Sequence, residues 1–375
     1  TQKNCRCTLS SLSEGLMDSS SSSMLGTLFT KERAWQVLET IANTYAPGQT
    51  VAYTRAPQIV QLLNLFETSG FQFDRNYRST GNSVLTVGKE LPRIWFFAHA
   101  DEISYLIGKQ QADGTYPLTP FCAHKSQISA PAVVLRYSLK NSGLEVVGHG
   151  NIHPPTMDDS HPTLTLTEGH AQPGDRVVYA HQQTLHGDYV EGSIDNAAGV
   201  TACLLAAMAL AKINTDLSVG FVFTDEEEGP SAQNTSFSRG ARRFLRVFDF
   251  TGLSVVVDGH PVAGGDGLGM GALITEKSGD AAAAVTPPHL YAHLRLLVEQ
   301  LREKGVRVTE NTGRVSRGDE IALIESTPNT LLFGYPSRNR HFDTGPSSAS
   351  LSDIIEVAKL IYWAALYFSE NSINE

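Results

Sequence analysis

The sequence has little cysteine and no long apolar run. Only four of its 375 residues are cysteines, too few for a disulfide framework in a chain of this length, and Cys5 and Cys7 are too isolated for a structural zinc site. Such sparse cysteine is typical of a reducing compartment, so we expect a cytoplasmic protein. The most apolar stretch, residues 200–211, is too short to cross a bilayer and predicts a buried helix, so no membrane partner is expected.

Basic residues are also few. Lysine and arginine number 29 against 39 acidic residues, which gives a formal net charge of −10 and argues against a broad nucleic-acid surface. Hydrophobic residues make up 41% of the chain, the ordinary range for a globular protein. The serine run at residues 19–23 is of low complexity, so residues 1–26 are predicted to be a disordered tail or a vector-derived remnant.

Beyond the tail, apolar strand patterns alternate with helical patterns. Largely apolar runs at residues 94–98, 219–223, 253–257 and 330–333 predict strands that are covered on both faces. Helical spacing follows or separates them at 31–45, 59–66, 197–213, 287–301 and 352–366. The fold class is therefore predicted to be α/β, a three-layer sandwich with a mostly parallel mixed sheet.

The residue pattern changes in one region. Between residues 109 and 180, short β-like pieces are separated by Gly, Pro, Asn and Asp clusters, which predicts an inserted all-β lobe. The catalytic domain is then expected to comprise residues 27–108 and 181–375.

Polar residues with metal-ligating side chains lie at or beside the ends of the apolar strands, where open α/β sheets form their binding crevices. They are His99, Asp195, Glu226, Glu227, Asp258 and His341.

Each of these residues also has an ordinary interpretation. Asp195 precedes an Ala- and Leu-rich helix, where aspartate is a common N-cap. Residues 225–228 are four consecutive carboxylates, which form either a solvated acidic loop or a site that cations neutralise. His99, Asp258 and His341 could be a polar strand end, a second strand end and a loop histidine. Alternation along the chain brings Asp101 to the side of His99, where its carboxylate could accept the ring N–H of a metal-bound imidazole.

The set as a whole favours metal binding. Nitrogen and oxygen donors without thiolate suit zinc, or else manganese or cobalt. Five protein ligands are too many for one catalytic zinc, which usually has three and a water molecule. Two divalent ions that share a carboxylate account for the set most simply.

At these residues the sequence resembles the glutamyl/leucyl (deblocking, tetrahedral-type) aminopeptidases, a family of co-catalytic dinuclear metallopeptidases. The matching pieces occur in the family's order across nearly all of the chain after the tail. They are Gly81-Asn82, Ala98-His99-Ala100-Asp101-Glu102-Ile103, Pro173-Gly174-Asp175, Gly192-Ser193-Ile194-Asp195-Asn196-Ala197-Ala198-Gly199, Glu226-Glu227-Glu228-Gly229, Val257-Asp258, Gly318-Asp319 and Pro336-Ser337-Arg338-Asn339-Arg340-His341.

The resemblance implies an aminopeptidase that acts on peptides. Asp195 would bridge two ions, His99 and Asp258 would complete one of them, and Glu227 and His341 the other. It further implies that Asp101 orients His99 and that Glu226 is the general base for a metal-bridging water. Three consecutive glutamates leave a shift of one residue open. The resemblance also implies a homo-oligomer, in which the β lobe would assemble the subunits.

The sequence departs from the family in places. Asn196 stands where a second aspartate is usual, Ser104 replaces a common glycine, and the segment from Arg338 to Phe342 differs from the usual neighbourhood of the last histidine. The departures indicate a divergent branch with its own substrate preference. Two alternatives stay open: a metal-dependent N-acyl amino acid deacylase or carboxypeptidase-like hydrolase, and an inactive scaffold or binding member of the fold.

Overall fold

The computed structural model describes residues 26–156, 161–213, 217–230, 238–250, 252–262, 267–280 and 282–370. The predicted tail, with Cys5 and Cys7, lies outside the described residues except for Gly26. The helices are α1 (Lys31–Ala42), α2 (Arg55–Leu65), α3 (Ala197–Lys212), α4 (Arg239–Val247), α5 (Pro288–Glu303), α6 (Glu320–Leu323) and α7 (Leu351–Glu370).

The strands form a large sheet, a separate barrel and a hairpin. They are β1 (Phe71–Asp74), β2 (Ser83–Val87), β3 (Ile94–His99), β4 (Tyr105–Ile107), β5 (Tyr116–Pro120), β6 (Ala130–Ser138), β7 (Gly143–His153), β8 (Thr163–Gly169), β9 (Arg176–Tyr179), β10 (Thr184–His186), β11 (Tyr189–Gly192), β12 (Val219–Thr224), β13 (Leu253–Pro261), β14 (Ala272–Thr275), β15 (Lys277–Ser278), β16 (Ala284–Val285), β17 (Val308–Glu310), β18 (Thr330–Arg338) and β19 (Ser347–Ser350).

The large sheet is parallel at its centre. Its main strand order is β1-β2-β12-β3-β13-β18-β19-β11-β10, and β14 and β17 branch from β18. Strands β12, β3, β13 and β18 run parallel to one another, whereas β2 and β19 pair with this centre antiparallel. The parallel centre brings the carboxyl ends of four strands to one edge.

Helices cover both faces of this sheet. In β3, Phe96 packs in the core that also contains α1, α3, α5 and α7, whereas Trp95 and Phe97 pack on the opposite face with Phe244 of α4. This alternation is what a strand buried on both faces requires. The predicted fold class, a three-layer α/β sandwich with a mixed sheet, is confirmed.

The inserted lobe lies between β3 and α3. Six strands in the order β4-β5-β8-β7-β6-β9 close into a barrel, and Tyr105, Val134, Ile152 and Leu164 belong to its core. Strand β4 precedes residue 109, so the barrel begins before the boundary that the sequence predicts. Among the helices of the described residues, none is long and apolar enough to span a membrane.

Candidate metal centre

The candidate site lies at the carboxyl edge of the parallel strands. His99 ends β3 and pairs in register with Thr224, which ends β12, and the acidic turn of residues 225–228 follows directly. Asp258 lies in β13, and His341 follows β18. The chain thus brings all the sequence-predicted residues to one edge of the sheet, and all of them are buried.

His99 presents one ring nitrogen to three carboxylates. Its Nδ1 lies 3.2 Å from the backbone carbonyl oxygen of Asp101, so Nδ1–H donates to that oxygen and Nε2 is the nitrogen directed at the site. Nε2 lies 3.4 Å from Asp195 Oδ1, 3.8 Å from Asp258 Oδ1 and 3.9 Å from Glu227 Oε2. Burial alone would lower the pKa of His99, but these carboxylates raise it well above its usual value.

Asp195 does not cap helix α3. The N-cap is Asn196, whose side chain accepts the amide N–H of Gly199 at 3.0 Å and donates to the carbonyl oxygen of Val257 at 2.8 Å. Capping is therefore carried by the neighbour, and Asp195 is left to face His99. The asparagine that departs from the family pattern has this structural role.

The first two carboxylates of the acidic turn face away from His99. Asp225 accepts the backbone N–H groups of Gln49 at 2.7 Å and Val51 at 3.3 Å, and burial, the largest influence, raises its pKa to about 7. Glu226 forms an ion pair with Arg243 of α4.

The next two carboxylates face the site. Glu227 approaches His99, and Glu228 Oε1 lies 3.9 Å from His341 Nε2. The sequence predicts Glu226 as the base and Glu227 as the His341-side ligand; in the structure the carboxylate beside His341 is that of Glu228, and Glu226 is paired with Arg243. The cause is the backbone: Glu226 has φ of 59°, a left-handed conformation that turns its side chain toward Arg243.

Asp101 holds the acidic turn in place. Its carboxylate accepts the amide N–H groups of Glu227 at 3.1 Å and Glu228 at 3.0 Å, whereas its Oδ1 is 3.7 Å from His99 Nδ1. The predicted orientation of the imidazole is thus carried mainly by the backbone carbonyl of Asp101, and its carboxylate orients the two glutamates.

Burial, together with the carboxylates of Glu228, Asp258 and Asp319, raises the pKa of Glu227 well above its usual value, although His99 acts in the opposite direction. Asp319 accepts the hydroxyl of Thr224, and burial first of all raises its pKa to about 6. Cations would neutralise the charge of so many buried carboxylates in one pocket.

Two arginines that the sequence reasoning did not identify as site residues contact the ligand carboxylates. Arg340 Nε donates to Asp195 Oδ2 at 2.8 Å, and Arg314 Nη2 donates to Asp258 Oδ2 at 3.4 Å. A cysteine from the segment after β5 also reaches the site, since Cys122 Sγ lies 3.8 Å from His341 Nδ1. Only the departure around Arg340 could have been noticed in the sequence.

The donor atoms fit divalent ions. His99 Nε2, Asp195 Oδ1 and Glu228 Oε1 are buried and have no hydrogen-bond partner within the described part of the chain, a costly state unless a cation satisfies them. Ligand atoms of His99, Asp195 and Asp258 lie within 4.8 Å of one another, as do those of Cys122, Glu228 and His341 and those of His99, Glu227 and Glu228.

An open cleft adjoins the site. It has a volume of about 430 Å³ and is lined by Arg340, His341 and Lys125, together with residues at or after the ends of β13 and β18, among them Val262, Arg338 and Asp343. Among the candidate ligands, His341 lines this cleft, so a molecule bound there would lie beside its imidazole.

Known structures share this fold. The TET1 peptidase of Pyrococcus horikoshii superposes with a TM-score of 0.69 at 19% identity, covering 88% of this chain and 99% of that chain. An aminopeptidase from the archaeon Desulfurococcus kamchatkensis gives 0.71 at 16% identity, with 92% and 96% covered. A TET aminopeptidase from a marine sediment Thaumarchaeota archaeon gives 0.71 at 14% identity, with 89% and 96% covered.

Part of the chain also matches a peptidase family by sequence. Residues 181–366 match Peptidase family M20/M25/M40, and this segment contains every candidate ligand except His99 and Cys122. No curated protein sequence matches the chain. The chain therefore combines the fold of the TET aminopeptidases with a segment that matches Peptidase family M20/M25/M40.

Proposed function

We propose that the chain is a metal-dependent aminopeptidase that hydrolyses the bond after the N-terminal residue of a peptide. The observation that carries the proposal is the convergence of buried ligand atoms, led by His99 Nε2 and Asp195 Oδ1, which lack hydrogen-bond partners in the described residues. Divalent ions of the zinc, cobalt or manganese type prefer this mixture of imidazole and carboxylate donors.

His99, Asp195 and Asp258 would hold the principal ion, and Glu228 and His341 offer ligands for a second. When bound, a divalent ion supplies Lewis-acid chemistry, which lowers the pKa of a water molecule and stabilises negative charge on the peptide oxygen. The remaining steps fall to the side chains. The carbonyl of Asp101 orients His99, and its carboxylate fixes the backbone of the two glutamates.

Glu227 is the proposed general base. Its Oε2 lies 3.9 Å from His99 Nε2. Glu227 does not belong to the His99, Asp195 and Asp258 group, although its carboxylate also lies close to His99 and Glu228. A carboxylate in this position takes a proton from the attacking water and returns it to the leaving amine. Glu226 is not suited to this step because it is paired with Arg243.

A second candidate is supported by the cleft. Three cationic side chains line it, Lys125, Arg338 and Arg340, against one carboxylate, Asp343. A substrate whose own carboxylate lies near the reacting bond would be attracted there, as in an N-acyl amino acid deacylase or a carboxypeptidase-like hydrolase. The aminopeptidase is preferred because the structures that resemble the chain over both its sandwich and its barrel bear that name.

A substrate panel separates these activities. Aminoacyl p-nitroanilides, their N-acetylated counterparts and N-acetyl amino acids are assayed on one zinc-loaded preparation. We expect hydrolysis of substrates with a free N-terminal amine. Turnover confined to N-acetyl amino acids would favour the deacylase, and no turnover of any substrate would favour an inactive scaffold.

We also propose that the chain forms a homo-oligomer. The similar Pyrococcus horikoshii peptidase can assemble into a tetrahedron or a large octahedral shell, and the barrel here carries exposed apolar side chains, Tyr137, Leu139 and Val146. Light scattering coupled to size-exclusion chromatography measures the mass of the particle. A mass equal to one chain at micromolar concentration would contradict the proposal.

A further inference from the structure

Arg340 occupies a position on the ligand set that a metal ion would be expected to take. It lies between the end of β18 and His341, and its Nε donates to Asp195 Oδ2 at 2.8 Å. Its Nη2 is 3.6 Å from Asp258 Oδ1, and only 10% of its side chain is exposed. The guanidinium therefore contacts two of the three side chains that would hold the principal ion, namely Asp195 and Asp258.

The two oxygens of Asp195 have different surroundings. Oδ1 lies 3.4 Å from His99 Nε2 and has no hydrogen-bond partner among the residues described, so it is available to an ion. Oδ2 already accepts a charge-assisted hydrogen bond from Arg340. A carboxylate that bridges with one ion on each oxygen needs both oxygens, and Asp195 offers one.

We propose that Arg340 replaces the second cation on Asp195, so that the site binds one divalent ion tightly instead of a carboxylate-bridged pair. The inference rests on the proposed function, since it concerns how many ions that site holds. The tight ion belongs to His99, Asp195 Oδ1 and Asp258, which is the three-ligand arrangement of a mononuclear catalytic zinc site.

Charge and ligand number support this arrangement. A guanidinium stays protonated at every pH that a protein tolerates, so Arg340 cannot leave Asp195 by losing its charge. Without Asp195 Oδ2, a second ion would depend on Glu228 and His341, whose Oε1 and Nε2 are 3.9 Å apart, and on the thiol of Cys122.

The sequence change that creates this cation is local. Arg340 belongs to the segment from Arg338 to Phe342, in which the chain departs from the family's usual neighbourhood of the last histidine. The candidate ligands themselves are all retained, so the departure adds a cation without removing a donor.

Metal titration tests the inference directly. Metal-depleted wild-type protein, Arg340→Met, Arg340→Gln and Lys125→Met are equilibrated with increasing zinc, and bound metal is measured by mass spectrometry after removal of free ion. Lys125→Met is the matched control, because this exposed cation lines the same cleft. We expect one tight ion per chain in the wild type and the control, and two in the Arg340 variants.

The second ion should bind the Arg340 variants about 10- to 100-fold more tightly than the wild type, the scale on which a contact to a ligand changes metal affinity. Two equally tight ions in the wild type would overturn the inference and leave the proposed function intact. One ion in both Arg340 variants, with their folding verified by circular dichroism, would also overturn it. No bound ion in any of the proteins would refute the proposed function itself.

Discussion

In the candidate site, some side chains bond to the surrounding structure, whereas their immediate neighbours face the imidazoles. At the start of α3, Asn196 caps the helix and Asp195 faces His99. In the acidic turn, Asp225 and Glu226 anchor the backbone and α4, whereas Glu227 and Glu228 face the imidazoles. Adjacent residues of the same chemical type thus have different functions because the backbone directs them to different partners.

The glutamate register gives a test at single-residue resolution. Glu227→Gln should lower kcat by about two to four orders of magnitude, the usual contribution of a general base, and should retain bound metal. Glu226→Gln is the matched control, and it should lose only its ion pair with the partly exposed Arg243. Steady-state kinetics and metal analysis of both variants provide the measurement. A large loss of kcat in Glu226→Gln with normal activity in Glu227→Gln would restore the register predicted from the sequence.

The sequence predicts the members of the site better than their contacts. His99, Asp195, Asp258 and His341 could be found because each lies at or beside the end of an apolar strand or the start of an apolar helix. The choice among three consecutive glutamates could not be made, since it depends on the positive φ of Glu226. Arg314 and Arg340 reach the carboxylates through the tertiary fold, which no local pattern records.

Among the helices and strands, the length and the apolarity of a strand determine whether the sequence predicts it. Strands β3, β12, β13 and β18 each contain a largely apolar run, from which the sequence predicts them. The antiparallel strands on either side of the parallel centre include β1 and β19, which are four residues long and carry polar side chains, so they lack a distinctive pattern. Helix α4 was missed because Arg239, Arg242, Arg243 and Arg246 dominate its sequence.

Helix α4 supports the acidic turn through a close backbone contact. Asn82 joins them, since it accepts the amide N–H of Asp225 at 3.0 Å and donates to the carbonyl of Gly240 at 2.8 Å. A Cβ at Gly240 would lie 2.0 Å from the carbonyl oxygen of Asp225 and 2.5 Å from Asn82 Oδ1. Only glycine allows this approach.

Gly240→Ala should therefore separate α4 from the acidic turn. We expect a loss of about 1–3 kcal/mol in the free energy of unfolding, as for other overpacked sites, together with lower activity because the glutamates move. Urea denaturation measures the stability. Gly313→Ala is the control, since the nearest atom to a Cβ there is 3.8 Å away. Equal stability of the two variants would show that the contact is not tight.

On the scale of the whole molecule, the site combines parts that are far apart in sequence. The barrel separates β3 from α3, so His99 and Asp195 lie on opposite sides of an inserted lobe in the chain and 3.4 Å apart in space. The segment of the lobe that follows β5 also brings Cys122 close to His341. The sequence predicted the lobe from its texture, but the closure of the barrel depends on pairing between distant strands such as β4 and β9.

The whole-molecule account predicts that bound metal links activity to stability. The buried carboxylates of the site repel one another, so an ion that binds only the folded chain adds stability. At a free concentration of 100 times its Kd, a single ion would contribute about 2.7 kcal/mol. Loss of the ion should therefore lower the melting temperature as well as the rate of hydrolysis.

The most direct measurement follows peptide hydrolysis and thermal unfolding on one sample as metal is removed and returned. Wild-type protein is stripped with a chelator, freed of the chelator and titrated with zinc, with an aminoacyl p-nitroanilide as substrate. Activity and melting temperature should fall together on stripping and recover together as zinc fills the site. Activity and melting temperature that are both unchanged in metal-free protein would contradict the central claim that this edge of the sheet is a catalytic metal centre.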